Sequence, residues 1–259
     1  MTTQDHHLPA GHLLRQLQRF GLVVGAVATI ACLVRAWLEP GRLLESYLVA
    51  WLYVFGIALG CLAVLSIHHV TGGAWGVVIR RPLEAAARTI PLLALLFLPI
   101  ALGAPHLYHW AHPGAAAHDA LLEHKQAYLN LPFFYARALL YFAAWSIMAT
   151  LMSRWSTDQD AGEPRASARL HNLARGGLVL LGLTMTFAAI DWMMSLEPHW
   201  FSTIYGVIFM VGSALSAFAF TIPVGVSLRS TRLYAAVTSV DEFHDLGKLL
   251  LAFIMVWTY

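Results

Sequence analysis

The chain has 259 residues, of which 59% are hydrophobic and only 12% charged, and its mean hydropathy is +0.64. A soluble domain carries about 25% charged residues, so the composition excludes an ordinary soluble protein and reads as an all-α, polytopic transmembrane helix bundle. A net charge of +2 gives no reason to expect a nucleic-acid partner, and Cys32 and Cys61 lie in apolar stretches with no Cys-x-x-Cys pair, which excludes covalent haem c, a cysteine zinc site or an iron–sulfur cluster held by this chain.

A spanning helix needs about 20 mostly apolar residues. Seven stretches qualify, at about 18–38, 44–67, 85–103, 132–153, 172–194, 201–226 and 243–259. Residues 1–17 precede them as a polar tail carrying His6, His7 and His12, and residues 18–259 form the bundle. The apolar run after the tail is too long for a signal-peptide core and reads as retained. The second stretch runs into His68-His69-Val70-Thr71-Gly72-Gly73-Ala74-Trp75-Gly76, where three glycines allow a turn or a close approach of backbones. The third holds Pro91 and Pro99, each removing a backbone donor, and is expected to bend. Pro132 suits the first turn of the fourth. The seventh stretch ends inside an apolar run at Tyr259, as an incomplete span of a longer chain would.

The basic residues sort by side. Arg15, Arg19, Arg80, Arg81, Arg88, Arg154, Arg165, Arg169, Arg175, Arg229 and Arg232 fall on one side; Arg35, Arg42, Lys125 and Arg137 fall on the other. The positive-inside rule puts the N-terminus in the cytoplasm. The connection Asp191–Tyr205 and the histidine-bearing connection Ala104–Leu131 then lie outside.

Between Arg175 and Arg229 there is no Lys or Arg, and Asp191 and Glu197 are the only formal charges. An ionisable residue inside a span costs about 3 kcal/mol at mid-bilayer and defaults to a functional reading. Asp191 therefore reads either as a protonatable group lining a water path or as an interfacial carboxylate paired with Arg137 or Lys125. Glu197-Pro198 is ordinary helix-start chemistry, with His199 the better proton carrier of that turn. Trp192 and Trp200 read as interfacial belt residues. His68 and His69 end the second span; being adjacent, only one readily faces the bundle. Quinol or proton contact by one of them competes with a hydrogen-bonded structural role, and bis-histidine haem with His171 or His244 is a weaker alternative. His106, His109, His112, His118 and His124 of the outer connection read as a solvated loop rather than a metal site, since Pro105, Pro113 and Gly114 interrupt any long helix. Asp241, His244, Asp245 and Lys248 share a helix start, as a salt-bridged N-terminal turn or as a proton entry.

Four runs together carry a family resemblance: His69 through Gly76, Arg80-Arg81, Asp191 through Tyr205, and Phe243-His244-Asp245-Leu246-Gly247-Lys248-Leu249. They resemble the polysulfide-reductase-type (NrfD-like) membrane proteins, and among these the second of the two NrfD-like components of alternative complex III, a respiratory quinol:cytochrome c oxidoreductase of the bacterial inner membrane. The resemblance implies a bundle of about ten helices, of which this chain would hold the first seven. It implies quinol as the substrate of the complex and partners that carry the redox centres: a multihaem cytochrome c, an iron–sulfur subunit, a sister NrfD-like subunit and a terminal oxidase. On that reading, the outer group (Asp191, Glu197, His199) and the inner group (His68, His69, Asp241, His244, Asp245, Lys248) are two halves of a proton path. A purely structural subunit that completes the membrane arm is the main alternative. An independent transporter would require matched interrupted helices in two halves, and no second half matches the third stretch.

Overall fold

The computed structural model describes residues 10–38, 40–229, 234 and 238–259. The expectations for His6, His7 and Arg232 lie outside those residues, and the side chains of His12, Arg42 and His118 are likewise not described. The described residues are helical, with no strand among them.

In chain order the helices are α1 (Ala10–Leu38), α2 (Pro40–Thr71), α3 (Trp75–Ala87), α4 (Ile90–Leu95), α5 (Leu98–Leu102), α6 (Ala104–Leu107), α7 (Ala120–Lys125), α8 (Leu131–Asp160), α9 (Ala166–Trp192), α10 (Tyr205–Leu228) and α11 (Val240–Thr258). Five segments are long and apolar enough to cross a membrane: Leu43–Thr71, Trp75–Leu102, Leu131–Asp160, Ala166–Leu196 and Tyr205–Leu228. This is a multi-pass membrane architecture. Its outward faces carry Val49, Tyr53, Leu139, Val179 and Leu183, all exposed, as a lipid-facing surface requires. The count falls short of the seven spans expected. In α1 the apolar stretch is Gln18–Cys32. In α11, Asp241, Glu242, Asp245 and Lys248 occupy the first half, which leaves too few apolar residues for a crossing.

The second span is the axis of the bundle and packs on α3, α9 and α10. Its closest approach is to α10. A Cβ on Gly60 would lie 2.0 Å from the carbonyl oxygen of Ser213, and one on Gly56 would lie 3.5 Å from the Ser213 hydroxyl. Gly56 and Gly60 are four apart, so they form one smooth strip on the helix, the small-xxx-small contact of membrane helices. Ser213 is nearly buried, and its hydroxyl has no hydrogen-bond partner. The other buried Ser and Thr hydroxyls of the described residues all have one.

After Thr71 the chain reverses through Gly72 and Gly73, whose φ angles of +71° and +98° favour glycine. The third span is in pieces. Its breaks fall at Arg88–Thr89 and Leu96–Phe97, two residues before Pro91 and Pro99. Two carbonyls freed along this segment accept from side chains of other helices. Pro105 cannot donate to Ala101, and the Tyr135 hydroxyl does so at 2.9 Å. At the second break the Phe97 amide turns to Ala94, and Leu93 O instead accepts from the Trp51 indole at 2.9 Å. Backbone irregularity at membrane depth is tolerated only with such compensation. Substituting Tyr135 with Phe is expected to cost about 0.5–1.5 kcal/mol, the net worth of one hydrogen bond at a partly exposed site, read as a lower unfolding midpoint in detergent.

Inside, Trp51, Phe55, Phe97, Phe142, Trp145 and Trp192 form one aromatic core, with Phe142 and Trp192 stacked at 5.3 Å and Trp51 and Phe55 at 4.6 Å. Trp192 is 1% exposed. The expectation of an interfacial belt residue is therefore corrected: Trp192 lies at belt depth but on the inward face of α9. Trp200 is half exposed, as a belt residue is.

Candidate functional site

The antiparallel course of the spans gathers the chemistry at two ends. At one end lies Asp191, in the last turn of α9 and 1% exposed. Arg137 of α8 meets it with two parallel bonds, Nε to Oδ2 at 2.8 Å and Nη2 to Oδ1 at 2.9 Å. The Tyr141 hydroxyl, one turn along α8, adds a third bond to Oδ2 at 2.9 Å. Arg137 is itself held. Its Nη1 donates to the Tyr128 carbonyl at 3.0 Å, and its guanidinium lies 3.9 Å and 4.2 Å from the Tyr128 and Phe133 ring centres. A bidentate, stacked guanidinium is the geometry that compensates a desolvated carboxylate best. Tyr108 donates to the Trp192 carbonyl at 3.2 Å. Burial, with the Asp191 charge beside them, pushes the Tyr108 and Tyr128 phenols up, so both stay protonated.

The rest of this end is tied by loops. Ser195 donates to the Asp191 carbonyl, and the Lys125 ammonium donates to the Pro198 carbonyl at 2.6 Å. His199 Nε2 lies 2.8 Å from Asp119 Oδ2. Glu197 is exposed, and its side chain has no hydrogen-bond or ion-pair partner among the described residues. So the structure brings Asp191 together with Arg137 and Tyr141, and places Glu197 and His199 apart from them, toward solvent.

Asp119 caps α7 by accepting from the Leu121 and Leu122 amides at 2.9 and 3.3 Å. Desolvation would raise its carboxyl, but those amides and His199 outweigh it and hold it below the usual carboxylate range. A depressed folded-state value means that the stabilising contribution is present above the unfolded value and is lost as pH falls through the folded one. Protection of the Leu121 and Leu122 amides, measured against the exchange of an unstructured chain at the same pH, is therefore expected at neutral pH and is expected to fall away below about pH 4. In Asp119→Ala that protection is expected to be lost at neutral pH as well.

At the other end, His68 and His69 close α2 with ring centres 5.5 Å apart. The His68 ring packs on Trp75, and a Cβ on Gly76 would collide with it. Both rings keep an enclosed nitrogen with no partner, Nδ1 of His68 and Nε2 of His69. The expectation that only one faces the bundle is thus corrected: the turn through Gly72 and Gly73 folds α3 back over the helix end and encloses both. His171 of α9 reaches this end, its Nδ1 2.8 Å from the His69 carbonyl. Nearby, Glu84 is buried between α3 and α8. It is bonded to Arg80 at 3.1 Å, to Arg81 and to the Ser156 hydroxyl, and both arginines also reach Asp160.

Asp241, His244, Asp245 and Lys248 stand elsewhere. All four are exposed on the first three turns of α11, where Ser239 and Glu242 form a capping box and Lys248 pairs with Asp245 at 3.0 Å. Among the described residues, no hydrogen bond or ion pair joins them to His68 or His69. No group of three or more metal-ligating side chains converges among the described residues. The sequence reading missed Tyr141 and Tyr128 as partners of the Asp191 pair, and the Glu84–Ser156 connection. For Tyr141 a signal existed, since it lies four residues after Arg137 and shares its helix face.

No protein-family model matches the chain, and no curated protein is found to match it.

Proposed function

We propose that this chain is an integral membrane subunit of a respiratory quinol:cytochrome c oxidoreductase of the alternative complex III type. In this reading it sits in the bacterial inner membrane with a cytoplasmic N-terminus, α1 adds a crossing to the five, and the apolar second half of α11 enters the membrane as part of a further one. It assists quinol and proton handling, while haem c and the iron–sulfur clusters belong to partner subunits. The observation that carries the proposal is the buried Arg137–Asp191–Tyr141 site. It anchors the run Asp191–Tyr205, the longest of those that carry the resemblance to the second NrfD-like component of such complexes. It also places an ionisable pair inside the bundle, where such pairs default to function. The exposed His199 and Glu197 lie at the same end of the bundle, toward solvent.

A purely structural role is favoured by a different observation. Both Asp191 oxygens are occupied, and the aromatic core fills the space between the two ends. The two readings part in the intact complex reconstituted into vesicles. Proton handling predicts that Asp191→Asn and His244→Ala slow proton release or quinol oxidation. If both variants assemble and leave both rates unchanged, the proton-handling role is lost and the structural one stands.

A further inference from the structure

We propose that the cavity beside Lys125 is a binding site for a membrane phospholipid, its phosphate on the Lys125 ammonium and an acyl chain along the apolar wall. The cavity has a volume of about 410 Å³ and lies between α7, the end of α9 and the connection that follows it. That volume is within the range of about 300–1,000 Å³ typical of small-molecule sites. Leu129, Ile190, Met194 and Phe201 supply its apolar wall, and Lys125 and His199 its polar rim.

Three features select the occupant. Lys125 is half-buried and, among the described residues, has no carboxylate partner; its one bond is to the neutral Pro198 carbonyl. An ammonium at an apolar wall that lacks a counter-charge attracts an anion, and Glu123 and Glu197 do not line the cavity. His199 is bonded to Asp119, so Lys125 is the rim group that carries a formal positive charge with no carboxylate on it. The cavity lies where the spans Leu131–Asp160 and Ala166–Leu196 end, with Ile190, Met194 and Ser195 in the last turns of the latter and the other lining residues in the adjoining connections, a depth that suits lipid headgroups. Trp200 and Phe201, 50% and 74% exposed, flank it as interfacial aromatics do. A cation at the membrane edge with an apolar wall beside it matches the anionic head and the acyl chain of a phospholipid at once. A soluble anion would gain nothing from the apolar wall, and a bare hydrocarbon would leave the ammonium unmatched.

The test uses the full chain purified in detergent, with unfolding midpoints and native mass spectra recorded against phosphatidylglycerol, diacylglycerol and inorganic phosphate. The expected result is saturable retention and stabilisation by phosphatidylglycerol, with neither diacylglycerol nor phosphate reproducing it. Lys125→Met is expected to weaken retention at least tenfold, and Lys125→Arg to keep it. Because Lys125→Met also removes the tie to Pro198, Leu121→Trp provides the second variant. It fills the cavity from its exposed wall, leaves the ammonium in place, and is expected to abolish retention as well. Equal retention of diacylglycerol, binding of phosphate alone, or wild-type retention in a folded Lys125→Met or Leu121→Trp protein would each overturn the site.

Discussion

Asp191→Leu is expected to lower stability by about 3–5 kcal/mol, the cost of leaving a buried charge without its partner. For a domain of this size that is a fall of about 6–20 °C in the unfolding midpoint. The stranded group is Arg137, 8% exposed and unable to lose its proton, with only the Tyr128 carbonyl and two aromatic faces left to it. Arg137→Met is expected to cost less, because Asp191 can take up a proton and keep its bond with Tyr141. The double variant Arg137→Met/Asp191→Leu is expected to recover most of the loss, since replacing a buried pair by apolar side chains is often close to neutral. A double variant as damaged as Asp191→Leu alone would show that the pair holds the structure by more than charge compensation. In the assembled complex the same double variant separates the two roles: a folded protein with normal proton release leaves the site structural.

Gly60→Ala carries the second large effect. The new methyl would sit 2.0 Å from a backbone oxygen of α10, which no rotamer change can relieve, so α2 and α10 must separate along their whole contact. Overpacking of this kind costs about 1–3 kcal/mol and at times more; a backbone collision on the axial helix puts Gly60→Ala at the upper end. Gly56→Ala meets only the Ser213 hydroxyl at 3.5 Å and the edge of the Phe209 ring at 3.9 Å, and Gly182→Ala meets nothing within 4 Å. Both are expected to be tolerated, with Gly182→Ala slightly stabilising through the more restricted unfolded chain. Unfolding midpoints of the three variants in one detergent check the order.

What could be read from the sequence follows from what one-dimensional patterns encode. Apolar run length places helix cores well, because the bilayer sets a minimum length. The prolines at 91 and 99 mark the broken third span, because a missing donor has a fixed position. Depth along a helix was legible too: Asp191 and Trp192 do lie at the end of α9. Rotation about the axis was not, and it decides that Trp192 enters the aromatic core while Trp200 meets the interface. The partner of Asp191 was narrowed to Arg137 or Lys125 but not chosen, since the choice depends on how α8 and α9 face one another across 54 residues of chain. No sequence pattern marks Glu84 as buried, because its burial arises only when α8 brings Ser156 against it. The Gly56–Gly60 strip was visible as spacing and went unread beside the more conspicuous glycines at 72 and 73. At α11 the i, i+3 pairing of Asp245 with Lys248 was legible, but its position on an exposed face was not.

Membership of a respiratory complex is the central claim, and co-purification tests it most directly. The tagged chain, isolated from native membranes in mild detergent, is predicted to bring with it a multihaem cytochrome c and an iron–sulfur protein, in a particle that oxidises quinol and reduces cytochrome c. Recovery of the chain alone, or in a particle with neither haem c nor that activity, would contradict it.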